Sequence, residues 1–169
     1  RYDEVFLFGV GGTWPQRLRE GGPAPLDIGA LAVIGSDRFG DLGVETPSGF
    51  ESLGELSLGR GGAFAMDEAA SAVLAGKLDC PVVPGVTVAR GSGTDACARA
   101  VQSRTGAAIE SMEGAAVALA CHEAGVRMVQ LRAVSNFVGD RDRGAWSLDS
   151  ACAALQDAVE AVLDLEATT

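Results

Sequence analysis

No basic stretch occurs anywhere in this chain: its 13 lysines and arginines stand singly or alternate with acids, as in Asp140-Arg141-Asp142-Arg143, and the net charge is −10. Nucleic acid and anionic membrane surfaces both require a positive footprint, so neither is expected as a partner. The four cysteines, Cys80, Cys97, Cys121 and Cys152, form no CxxC pair, which argues against a zinc knuckle and against a small disulfide scaffold. Apolar runs are short, and no charged-then-apolar signal segment opens the sequence. These absences predict a soluble, cytoplasmic protein with reduced thiols. No internal repeat is present. Aromatics are sparse while 47% of residues are hydrophobic and 23 are glycine, so the core must be Ala, Val and Leu packed closely against backbone rather than a disordered chain. A length of 169 residues suits one α/β domain.

Residues 2–10 read as a buried strand that ends in a tight glycine turn, Gly9-Val10-Gly11-Gly12. A loop composition follows at 19–25, and a second strand is expected at 28–35. Residues 40–62 alternate turn formers with isolated apolar residues and predict a long ordered loop. Helices are expected at 65–78 and at 94–105, the latter opened by Thr94 and Asp95 as caps, with a strand at 81–88 broken or bulged at Pro84. A short strand at 107–110, a helix at 113–124 and a strong strand at 127–135 come next. The apolar spacing over 147–165 predicts an amphipathic helix. Strands alternating with helices imply an α/β fold with a mainly parallel sheet covered on both faces.

Two segments carry candidate chemistry. In Glu110-Ser111-Met112-Glu113-Gly114-Ala115-Ala116 a carboxylate sits between a strand and a small-residue helix, where ligands bind in open α/β folds, and Glu113 could accept hydrogen bonds from two ribose hydroxyls. A helix-start carboxylate favoured by the helix dipole is the plainer reading, and Met112 by default packs in the core. In Arg132-Ala133-Val134-Ser135-Asn136-Phe137 an apolar strand ends in polar groups. Asn136 taken alone is a turn former, whereas Arg132 inside a buried strand needs a ligand or a carboxylate to meet it.

Together with the glycine turn, these motifs resemble the purine nucleoside phosphorylase and nucleosidase superfamily, which includes methylthioadenosine nucleosidase. Within it, GDLGVETPSGF at 40–50 and RAVSNFVGDRDRGAW at 132–146 are similar to the futalosine hydrolases of menaquinone biosynthesis. The resemblance runs from Tyr2 onward. It implies a three-layer nucleoside phosphorylase-like fold with a central mixed, mainly parallel sheet, a nucleoside as substrate, no cofactor, and a homodimer in which a neighbour's loop closes the pocket. It further implies that Arg132 lies near the attacking water, that Met112 and Glu113 hold the ribose, and that Asn136 meets the purine. Val10, Gly11 and Ser135 would line the same site. The Arg pair in the loop just past Asn136 places Arg141 or Arg143 toward the carboxylate of the substrate's remote aromatic group, the plainer reading being an exposed salt-bridging loop in Asp140-Arg141-Asp142-Arg143. Adenine-specific relatives carry Asp where Asn136 stands. An amide there accepts from a protonated N7 and donates to a 6-oxo group, which favours hypoxanthine.

The resemblance also departs from the family. Relatives carry a water-activating Glu in an N-terminal segment that the 169 residues are expected to lack, Val10 stands where methylthioadenosine nucleosidases have a Ser, and no purine-stacking Phe occurs at 88–93. A methylthioadenosine- or aminofutalosine-type nucleosidase, a phosphorylase, and a catalytically dead nucleoside-binding homologue are the competing readings.

Overall fold

The computed structural model describes residues 2–19 and 24–166, the side chains of the last three helical residues excepted. Positions 20–23 of the expected loop lie outside the described residues.

The chain enters as β1 (Glu4–Thr13), passes a short 3-10 turn at Gln16–Leu18, and continues as β2 (Leu31–Phe39), β3 (Gly43–Thr46), β4 (Gly49–Ser52) and β5 (Phe64–Ala65). Then follow α1 (Glu68–Leu78), β6 (Val82–Thr87), α2 (Asp95–Thr105), β7 (Ile109–Ser111), α3 (Gly114–Ala124), β8 (Arg127–Phe137), a 3-10 turn at Arg143–Ala145 and α4 (Leu148–Glu166). The caps are those the sequence chemistry supports. Thr94 accepts from the Cys97 amide at 3.2 Å to open α2, and Gly106 and Gly125 close α2 and α3 in the left-handed conformation.

Four sequence expectations are corrected. The first glycine cluster is not a turn: β1 runs straight through Gly9-Val10-Gly11-Gly12 to Thr13. Glycine is needed there for close approach, because a Cβ on Gly9 would collide with the Arg132 guanidinium on the neighbouring strand. The stretch 40–62 is not all loop, since β3 and β4 pair as a hairpin, Gly43 opposite Ser52 and Thr46 opposite Gly49. The first helix starts later than 65, because Phe64 and Ala65 first pair with Asp37 and Ser36 on β2 before the Asp67 carboxylate caps the helix by accepting from Ala70 N at 2.9 Å. The irregularity expected at Pro84 falls on its partner instead. Strand β6 is continuous, and β2 bulges between Ile34 and Ser36.

The sheet is mixed, in the order β5-β2-β6-β7-β1-β8, and its longest ladder is parallel, β1 on β8 from Glu4 opposite Arg127 to Thr13 opposite Phe137. Strand β2 also pairs antiparallel with β8, so β2, β6, β7, β1 and β8 close on one another, a ring that alternating strands and helices alone do not specify. One face is covered by α1 and α4 through Leu74, Ala75, Ala158 and Val162 on Val33, Val129 and Leu131. The other meets α3 through Ala115, Ala118 and Cys121 on Phe64, Met66 and Met128. Three layers result.

A buried polar knot ties α3 to the sheet. Asp37, 1% exposed, accepts from Thr87 Oγ1 at 3.0 Å and from Gln130 Nε2 at 3.0 Å, while Thr87 Oγ1 accepts from Ala115 N at 2.7 Å in the first turn of α3. Burial pushes the Asp37 carboxyl above its ordinary range, against the pull of the Gln130 and Thr87 donors. Asp37→Ala leaves those donors without an acceptor and is expected to lower unfolding stability by about 2–3 kcal/mol, read as a fall in the urea midpoint. An unchanged midpoint would show the knot to be dispensable.

Candidate active site

The ends of three neighbouring strands build one cavity of about 360 Å³. Parallel β1 and β8 hold register until Gly11 opposite Val134 and then slip, so that Gly12 faces Asn136 and Ser135 is the extra residue. On the other side of β1, Gly12 pairs antiparallel with Glu110 of β7, from which the chain turns through Met112 and Glu113 into α3. Val10, Gly11, Gly12, Ser135 and Asn136 line the cavity with Glu110, Ser111, Met112 and Glu113. The 91–93 loop and the segment carrying Arg141 and Trp146 complete it.

Glu113 occupies the N-cap position of α3 but makes no side-chain capping bond. Its Oε2 instead lies 3.0 Å from Arg132 Nη1, with the Glu113 side chain 59% exposed and that of Arg132 2% exposed. The carboxylate that a buried Arg132 requires is therefore Glu113, and Val10 O is a second, longer partner at 3.4 Å. Arg132 does not line the cavity; its guanidinium sits behind Glu113, and its Nε and Nη2 have no hydrogen-bond partner among the described residues. Met112 is not core: it is 56% exposed on the cavity wall.

Asn136 lies on the strand rather than in a turn. Its Nδ2 donates to the Phe137 carbonyl at 3.1 Å, an atom that can only accept, which leaves Oδ1 to accept from Ser135 Oγ at 2.9 Å. One Nδ2–H and one Oδ1 lone pair remain for a ligand. Arg141 lines the cavity with its guanidinium carbon 5.3 Å from the Trp146 ring centre, whereas Arg143 is exposed outside the lining.

Several lining residues escaped the sequence reading. Phe137 and Trp146, 44% and 38% exposed, put aromatic surface on the cavity although none occurs at 88–93. Glu110 is 7% exposed and accepts from Ser92 N at 2.9 Å and from Ser92 Oγ at 2.5 Å. Burial raises its carboxyl above the ordinary range, against the Ser92 donors and helped by Asp41. An acid directly after Ala107-Ala108-Ile109 in a strand was the available signal. Among the described residues no group of three or more His, Cys, Asp or Glu is placed to hold a metal ion, and no helix is long and apolar enough to cross a membrane.

Residues 26–167 match the phosphorylase superfamily. Among curated relatives, futalosine hydrolase of Thermus thermophilus is 35% identical over 95% of this chain and 69% of its own length. Futalosine hydrolase of Streptomyces coelicolor is 41% identical over 94% of this chain and 64% of its own length. The chain thus spans roughly two thirds of those relatives. Of solved structures, futalosine hydrolase of Helicobacter pylori superposes with a TM-score of 0.78 at 17% identity, covering 96% of this chain and 68% of that one. A methylthioadenosine/S-adenosylhomocysteine nucleosidase from Colwellia psychrerythraea, in complex with adenine, gives 0.75 at 17% identity, covering 96% and 66%. These two likenesses speak for the fold. With the superfamily match over most of its length and curated relatives at 35% and 41% identity, the chain belongs to the phosphorylase superfamily and, within it, to the futalosine hydrolase family.

Proposed function

We propose that this chain carries the nucleoside site of a hydrolase that cuts the N-glycosidic bond of futalosine, releasing hypoxanthine. The observation that carries the reading is the placement of Glu113 and Asn136 on one cavity. Arg132 Nη1 joins Glu113 to Val10 O, and Asn136 pairs with Gly12, two residues further along β1. Two strand residues span about 7 Å, the scale on which a ribose and its base lie side by side.

As the glycosidic bond breaks, its electron pair leaves with the purine, whose N7 takes a proton from solvent, and the ribose becomes an oxocarbenium-like cation, which water then attacks at the anomeric carbon, returning a proton to solvent. Glu113 accepts hydrogen bonds from two ribose hydroxyls and places negative charge against that cation. Met112 packs on the sugar. Arg132, behind the cavity wall, fixes the direction of the Glu113 carboxylate from which the ribose hydroxyls and the attacking water take their places. Asn136 meets the departing base, its Oδ1 accepting from protonated N7 and its Nδ2 donating to O6. A cytoplasmic homodimer is part of the same proposal, supported by the sequence resemblance.

The test is release of hypoxanthine from futalosine by the full-length protein in phosphate-free buffer. A strict requirement for phosphate would replace hydrolysis with phosphorolysis.

Arg141 and Trp146 suit the aromatic carboxylate at the far end of futalosine, the ring against indole and the anion against guanidinium. Arg141→Glu is expected to raise KM for futalosine about tenfold and leave inosine, which lacks that group, little changed. The same change at Arg143, outside the lining, is expected to do less. Equal effects of Arg141→Glu on both substrates would remove Arg141 from substrate recognition.

A further inference from the structure

Glu110 has no part in the chemistry above, yet it is a buried carboxylate on the cavity wall. Its place in the sheet is informative. Gly12 pairs with Glu110 on one side and with Asn136 on the other, so the three form a row across β7, β1 and β8. Strands lie about 4.8 Å apart, which puts the outer two backbones about 10 Å from each other. The residue between them contributes no side chain. A Cβ on Gly12 would come within 3.0 Å of Asn136 Nδ2 and 2.7 Å of Val138 Cγ1, so glycine there lets the Asn136 amide lie close over β1, and all three residues of the row line the cavity.

The flanks differ in what they can exchange. Asn136 has a donor and an acceptor, while an ionised Glu110 can only accept. Burial raises the Glu110 carboxyl, but Ser92 N and Ser92 Oγ donate to its two oxygens, which opposes that rise and still leaves lone pairs on each. The six-membered edge of a 6-oxopurine presents an N1–H donor beside the O6 acceptor. Adenine presents a bare N1 lone pair beside a 6-amino donor.

We infer that Glu110 is a second specificity residue, accepting a hydrogen bond from the purine N1–H across Gly12 from Asn136, so that the Glu110–Gly12–Asn136 row reads the 6-oxopurine edge at two points. The inference rests on the purine reading of this cavity and deepens it. A carboxylate facing the N1 lone pair of adenine is repelled, and this discrimination is independent of the six-position contact made by Asn136. The alternative role for Glu110 is as a brace for the 91–93 loop through Ser92. A brace would affect every purine alike.

Dissociation constants of hypoxanthine, adenine and N1-methylhypoxanthine, measured by calorimetry on the full-length protein, separate these roles. The wild type is expected to bind hypoxanthine at least about tenfold more tightly than either other base. Glu110→Gln, whose amide can donate to the adenine N1, should compress the hypoxanthine-to-adenine preference by about tenfold. Ser92→Ala, which loosens the loop but keeps the carboxylate, should weaken both bases and preserve their ratio. A Glu110→Gln protein that loses both bases equally makes Glu110 a brace and overturns the inference. So does wild-type protein that binds N1-methylhypoxanthine as tightly as hypoxanthine, a result that depends on no variant folding. Wild-type protein that binds neither hypoxanthine nor adenine overturns the purine reading of the cavity itself, and the role of Glu110 with it.

Discussion

Glu113→Gln is expected to lower kcat for nucleoside hydrolysis by at least about a hundredfold, with KM little changed, because the lost charge matters only once the ribose becomes cationic. The shape and the hydroxyl contacts survive in Gln. What disappears is the anion opposite the developing charge, and with it the partner of Arg132, whose side chain is 2% exposed. A buried cation stripped of its carboxylate normally destabilises strongly, but the Glu113 side chain is 59% exposed and water shares the pair. The stability loss should accordingly stay at about 1 kcal/mol. A large fall in kcat with a small shift in the denaturation midpoint therefore assigns Glu113 to the reaction. Unchanged kcat would reduce it to a residue that merely begins α3.

Asn136→Asp tests the substrate assignment. The Phe137 carbonyl accepts from Nδ2 at 3.1 Å in the wild type, so an Asp there would set a carboxylate oxygen against that carbonyl unless it took up a proton. Ionised, the Asp repels O6 of hypoxanthine. Protonated, it has one hydrogen to share between the Phe137 carbonyl and the base, where Asn has two. Turnover of 6-oxopurine nucleosides should fall by at least about tenfold in either state, while adenine nucleosides lose less or gain. The quantity to follow is the ratio of kcat/KM for futalosine to that for aminofutalosine. If that ratio stays where it is in the wild type, Asn136 does not read the six-position.

Much of this site was legible in the sequence because its parts are local. Thr94 caps α2, the apolar run of β8 ends in Ser135-Asn136, and Glu113 begins a helix of small residues, each signalled within a few positions. A buried arginine in a strand demands a counter-charge, and Glu113 supplies it across 19 residues. The misreadings arose where a residue's reason lies on another strand. Gly9 and Gly12 look like turn formers from their neighbours alone, but they are glycine because Arg132 and Asn136 crowd them from β8. Closure of the sheet by β2 on β8, and the meeting of Glu110 with Ser92, depend likewise on pairings that no local pattern states. Phe137 and Trp146 were visible as aromatics, but only the way β8 ends and the chain continues beyond it brings them to the cavity.

The most direct test of the account is the relative kcat/KM of the full-length protein for futalosine, aminofutalosine, methylthioadenosine and inosine, measured side by side without phosphate. The site described here predicts that futalosine is cut best: Asn136 favours its 6-oxopurine over the adenine of aminofutalosine and methylthioadenosine, and Arg141 with Trp146 favours its aromatic carboxylate over inosine. Preferential cleavage of either adenine nucleoside, or no cleavage of futalosine at all, would contradict it.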